Sequence, residues 1–136
     1  IKKIVMATRQ QIRASIKQLI AGFFTATFDF RPAQFYKEEL PCSAVFFDSG
    51  ESVRDFDDDT DTNAQLSLEI IIDSNGKQDT ELDVFASQVE AAIRADNTLN
   101  GLVDAIYRVG FQYDRDPESL TASLTLFFKV QYEDED

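Results

Sequence analysis

The stretch Leu120-Thr121-Ala122-Ser123-Leu124-Thr125-Leu126-Phe127-Phe128-Lys129-Val130-Gln131-Tyr132 alternates apolar and polar side chains along almost its whole length. Leu120, Ala122, Leu124, Leu126, Phe128, Val130 and Tyr132 point one way, while Thr121, Ser123, Thr125, Lys129 and Gln131 point the other. Period-two alternation marks a β-strand buried on one face. The same pattern occurs twice upstream. Ala64, Leu66, Leu68, Ile70 and Ile72 alternate with Gln65, Ser67 and Glu69. Ala105, Tyr107, Val109, Phe111 and Tyr113 alternate with Arg108, Gly110 and Gln112. The short segment 114–119, with Pro117, makes the last two strands a hairpin. A further strand at 43–47 follows Pro41 and is expected to end at Asp48-Ser49-Gly50.

Two segments have helical spacing instead. Thr8 can cap a helix with apolar residues at Ile12, Ile16, Leu19, Ile20, Phe23 and Phe24, and Gly22 weakens its last turn. Asp79 can cap a second, whose stripe is Leu82, Phe85, Ala86, Val89, Ala92 and Ile93. The order helix, strand, strand, helix, strand, strand predicts an α+β fold: a mostly antiparallel, or mixed, sheet with two main helices packed on one face. The polar faces are not clean. Ile71, Ile106 and Phe127 fall among the outward residues, so either a loop covers that face or another subunit packs on it.

The chain has 136 residues, 43% of them hydrophobic, with no repeat or linker, which suits a single domain over 1–136. Lys and Arg total 13 against 25 Asp and Glu, for a formal charge of −12. That balance argues against gripping nucleic-acid phosphates. There is no histidine and one cysteine, which excludes Ser-His-Asp and Cys-His catalysis, histidine-based zinc sites and an internal disulfide. Arg9 and Arg13 interrupt the apolar start too soon for a secretory signal, and no run is long enough to span a membrane. The expectation is a soluble protein of a reducing cytoplasm.

Residues 48–63 form the most acidic stretch, expected to be a mobile loop; Asp57, Asp59 and Asp61 sit at alternate positions in it. The run does not make a calcium loop. Counted from Asp57, the required glycine is Thr62 and the closing glutamate is Leu68. Asp79, Glu81 and Asp83 suit the positive end of a helix dipole; Asp79 and Asp83 are also candidates for a loose Mg²⁺-assisted contact between subunits. Cys42 has no histidine partner and reads as a buried, inert thiol. Arg31, in an acidic aromatic setting, and Arg115 with Asp116 at a hairpin tip are candidates for pairing with a subunit or partner, as is Phe127; local turn pairing is the alternative for the arginines. Gly110 inside a strand suggests a bulge or a close backbone approach.

These residues, in order, resemble the lambda-type minor tail protein U family, the tail terminators of long, non-contractile-tailed phages. The likeness is carried by Ala26-Thr27-Phe28 leading to Arg31-Pro32-Ala33 and Phe35, then Pro41 before Ala44-Val45, and Gly50-Glu51. It continues through the 66–69 strand, Asp79 with Glu81-Leu82-Asp83, the Leu99 and Leu102 pair, and Gly110-Phe111, Tyr113 and Arg115-Asp116, to Tyr132-Glu133. The acidic ending Glu133-Asp134-Glu135-Asp136 departs from the family. The resemblance implies a structural virion-tail protein assembled in the host bacterial cytoplasm, not an enzyme. Copies would form a homo-hexameric ring on the tail tube, stop its growth and meet the head-completion (connector) protein, with DNA only as passing cargo and no membrane. No cofactor is required beyond Mg²⁺ assisting oligomerisation. Two other classes compete: an acidic DNA mimic occupying a DNA-binding enzyme, and a metal-dependent hydrolase using residues 57–61. The mimic needs acids along whole faces, and the hydrolase needs ligands converging from several elements.

Overall fold

The structure is a computed structural model that describes residues 6–54, 60–74, 76–114 and 120–134. Its elements are β1 (Met6–Ala7), α1 (Arg9–Ile20), β2 (Ala26–Phe28), β3 (Cys42–Arg54), β4 (Thr60–Asp73), α2 (Gln78–Ala95), β5 (Ala105–Asp114) and β6 (Thr121–Asp134), with short 3-10 turns at Ala21–Phe23 and Lys37–Glu39. The α+β fold with a mixed sheet is as expected.

The long strands build the sheet. β3, β4, β6 and β5 pair antiparallel in that spatial order. Because β4 occupies one edge of β6 along nearly its full length, β5 and β1 share the other. The sequence pattern missed β1 and β2, whose two and three residues are too short to show a period. Both pair parallel, β1 to β6 and β2 to β3, and these are what make the sheet mixed. β4 and β5 run the same way on either side of β6, and α2 makes the crossover between them.

Both helices lie on one face and close the core. Thr8 caps α1: its hydroxyl accepts from the Gln11 N–H, and the Gln11 side chain accepts from the Thr8 N–H, a capping box that satisfies two helix-end donors. Ile12, Ile16 and Ile20 of α1 and Leu82, Ala86, Val89 and Ile93 of α2 are buried. They meet Leu66, Leu68, Ile70 and Ile72 of β4 and Leu124, Leu126, Phe128 and Val130 of β6. α2 begins two residues earlier than expected. Lys77, not Asp79, holds the cap position, and Asp79 and Glu81 lie in the first turn, where their charge favours the helix dipole. After α2 the chain turns through Leu99, Asn100 and Gly101, all with positive φ. Leu99 tolerates this strained region because its side chain is 4% exposed in the core.

Two corrections concern strand ends and faces. β3 does not stop at Asp48; it continues to Arg54 and pairs with β4 as far as Thr60. Asp48 is a bulge residue whose carboxylate accepts from the Ser67 hydroxyl and, at 3.5 Å, from the Gln65 amide. The turn-like Asp48-Ser49-Gly50 is therefore a kink within a strand. The expected loop over 48–63 is largely a two-stranded hairpin, and residues 55–59 lie outside the described ones. β5 also bulges, between Arg108 and Gly110, which breaks its alternation. Before the bulge, Ile106 faces the helices at 3% exposure and Tyr107 faces away, so Ile106 is a core residue and not an outward one. After it, Phe111 and Tyr113 return to the helix side opposite Leu126 and Leu124. The two bulges flank the same cross-strand row, Leu66 opposite Phe128.

On the sheet face away from the helices, Cys42, Ala44 and Ile71 are buried at 2% exposure or less. The segment 29–41 lies over this end, anchored by Arg31. No described helix is long and apolar enough to cross a membrane.

Candidate assembly surface

The outer edge of the sheet is built by β5 and the flank of α2. Asp83, Ser87 and Glu90 fall at four- and three-residue spacing on α2 and so share one stripe. With Arg108, Phe111 and Tyr113 they line a groove of about 200 Å³. Two polar contacts bolt helix to strand: the Tyr113 hydroxyl donates to the Asp83 carboxylate, and the Arg108 guanidinium pairs with Glu90. Phe111 lies between them. Its ring centroid is 5.7 Å from the Arg108 guanidinium and 5.9 Å from the Tyr113 ring, edge-on. Fixed on both sides, Phe111 is nevertheless 58% exposed, beside Val109 at 54% and Tyr107 at 44%. Among the described residues β5 pairs with β6 alone, and its Ile106 N–H donates to the Asn97 carbonyl. Beyond that point exposed apolar side chains on both faces, Tyr107 away from the helices and Phe111 on the helix side, border the outer strand edge, an arrangement that proteins ordinarily blunt or cover.

Gly110 follows the bulge, as its place in a strand suggested. A Cβ there would lie 3.7 Å from the Phe127 ring, so Phe127 packs across the glycine on the face away from the helices and is partly buried.

The opposite edge belongs to β2 and the segment after it. Arg31 Nε lies 2.8 Å from Glu69 Oε1, with the two side chains 44% and 13% exposed. The guanidinium sits 4.8 Å from the Phe35 ring centroid, and a second nitrogen donates to the Pro32 carbonyl. Phe28 contacts both Phe30 and Phe35. Arg31 thus closes an aromatic cluster over the sheet through a partner in its own chain. Phe30 and Tyr36 project from this cluster at 55% and 57% exposure. Burial raises the Glu69 carboxyl above its usual value, against the lowering effect of Arg31. Burial, with Glu39 and Glu69 nearby, pushes the Cys42 thiol up to about 12, an unreactive thiol as expected.

The remaining candidates distribute as follows. Asp83 is engaged with Tyr113, while Asp79 lies one turn earlier on α2. No cluster of three potential metal-ligating side chains occurs among the described residues. Arg115, Asp116 and Asp57 to Asp59 lie outside the described residues. The sequence reading did not single out Arg108, Glu90, Tyr107 or Val109. The one signal that could have found them was Gly110, whose bulge turns Tyr107 and Val109 out of the core.

The fold is similar to a chain of the virion of a native gene transfer agent particle, at 15% identity and a TM-score of 0.48, covering 90% of this chain and 94% of that one. No curated protein matches. The phage minor tail protein U family matches residues 4–132, nearly the whole chain. With an α+β domain whose two sheet edges carry exposed aromatic side chains, this chain belongs to the phage minor tail protein U family.

Proposed function

We propose that this protein is a structural component of the virion tail that closes as a homo-hexameric ring on the end of the tail tube. The ring ends tube polymerisation and offers its other side to the head-completion protein. Family membership over residues 4–132 carries the reading. The charge fits it: six copies at −12 each carry about −72, a field that keeps passing DNA from adhering. The same charge opposes closure in dilute buffer. The ring therefore forms weakly alone and is promoted by salt, by Mg²⁺ at acids such as Asp79 and Asp83, or by the tube end.

Native mass and negative-stain microscopy of the purified protein test this, with and without Mg²⁺ and the tail tube protein. Six-fold rings with a central hole, strengthened by cation or tube, are expected. A monomer under every condition overturns the reading, and a ring equally tight at low ionic strength in chelator overturns the charge argument.

A further inference from the structure

We infer that residues 29–41 form a strap that lifts off the sheet as a unit while the sheet and both helices stay folded, with the Arg31–Glu69 pair as its latch. A single copy has this device, whether or not a ring forms. Three observations carry it. First, the strap covers apolar side chains but buries none of its own. Beneath it Cys42, Ala44 and Ile71 are 2% exposed or less, yet none of the three belongs to the core between sheet and helices. From Asp29 to Pro41 no residue is buried, and Phe30 and Tyr36 are more than half exposed. The rings of Phe30 and Phe35 rest on Phe28 and not on that core. Lifting the strap therefore leaves the main core intact.

Second, the backbone is fastened at its two ends, where Phe28 pairs with Ala44 and the Thr25 N–H donates to the Pro41 carbonyl. Over 30–40 the backbone bonds only to itself: the Glu39 N–H donates to the Tyr36 carbonyl and the Leu40 N–H to the Lys37 carbonyl. The Tyr36 N–H to Glu39 and Arg31 to Pro32 bonds also stay inside the strap. Among the described residues the one ion pair or side-chain hydrogen bond from strap to sheet is Arg31 to Glu69, at 2.8 Å. Third, that latch is weak, because Arg31 is 44% exposed and water screens the pair. A segment with few buried contacts and self-contained hydrogen bonds opens at a fraction of the global unfolding free energy. Arg31 and Glu39 both act on the Cys42 thiol through their charges, in opposite senses, which sets the strap around it and makes Cys42 a reporter of opening.

Labelling of Cys42 by a soluble disulfide at pH 8, followed by intact mass, tests this. The chain is kept monomeric, and the reagent is held where the rate is proportional to its concentration. The wild type should label slowly, at a rate that stays flat in urea well below the unfolding midpoint and then climbs steeply. Arg31→Ala should raise the flat rate roughly tenfold, equivalent to about 1.4 kcal/mol of easier opening. Thr8→Ala weakens α1 on the other face of the sheet and should leave the flat rate unchanged. If both variants speed labelling alike, or the wild-type rate climbs with urea from the outset, Cys42 is reached through global unfolding and the inference is overturned. Should Arg31→Ala fail to fold, Arg31→Lys replaces it: the charge remains but the planar fork is lost, and a smaller rise in the flat rate is expected. No rise with Arg31→Lys would remove the latch. Deuterium uptake by fragment mass adds a second readout. Amides of β3 and β4 should stay protected while Cys42 labels; exchange of both strands at the labelling rate would mean that the sheet opens too, and no separate strap exists.

Discussion

Replacing Arg31 with alanine separates a residue that holds its own chain together from one that pairs across subunits. Its guanidinium contacts Glu69 at 2.8 Å and the Phe35 ring at 4.8 Å. The pair is half-exposed on the Arg31 side, so screening limits it to about 0.5 kcal/mol. The ring contact adds about 0.5–1 kcal/mol, and Glu69, left at 13% exposure without its counter-ion, adds a smaller cost. The expected loss is about 1.5 kcal/mol, or roughly 5 °C in Tm for a chain of this size. The loss depends on pH with a definite sign. Glu69 is raised in the folded protein, so its contribution is fully present below its unfolded value and is lost as pH rises through its folded value. Without Arg31, which lowers it, the folded value climbs further and more stability is lost. The gap between wild type and Arg31→Ala should therefore shrink near pH 3 to about the 0.5–1 kcal/mol of the ring contact and widen toward pH 7. Urea unfolding at both pH values, at a concentration where the protein is monomeric, measures it. Equal stability at pH 7 together with lost assembly would refute the intrachain role and give Arg31 to the subunit contact.

Further outcomes are expected. Thr8→Ala removes the capping box of α1 and should cost about 1 kcal/mol in urea unfolding, while Thr8→Ser should keep most of it. Tyr113→Phe deletes the hydroxyl that holds Asp83 and should cost about 1 kcal/mol; an unchanged midpoint would mean that α2 and β5 hold together without it. Cys42, fully buried with its thiol pushed up to about 12, should resist alkylation at pH 8 in the native protein and react at once in urea, read by intact mass.

How much was legible in the sequence differs from element to element. The alternation of β4, that of β6 from Ala122 onward and the stripes of α1 and α2 depend on burial of one face, a property each segment carries locally, and these were read correctly. Leu120, expected in the buried row, stands 86% exposed just ahead of β6, where no ladder partner fixes its side. β1 and β2 were invisible because their short runs are held by parallel pairing with β6 and β3, and a partner distant in sequence leaves no local period. Asp48-Ser49-Gly50 carries turn chemistry but sits in a bulge, because Ser67 and Gln65 on β4 satisfy its carboxylate. In β5 the glycine announced an irregularity, but not which side chains it would turn outward.

The site residues divide in the same way. Arg31 was noticed for its setting, yet its partner Glu69 lies far along the chain and only folding brings the two to 2.8 Å. The pairing of α2 acids with the β5 residues Arg108 and Tyr113 likewise required the crossover that lays one against the other. Local patterning of apolar side chains fixes which segments are helix or strand, because each must bury one face wherever it packs. Which strands pair in parallel, where the ladder slips by one residue, and which aromatics remain at the edges follow from contacts between segments far apart in the chain, and those exist only once the sheet has closed.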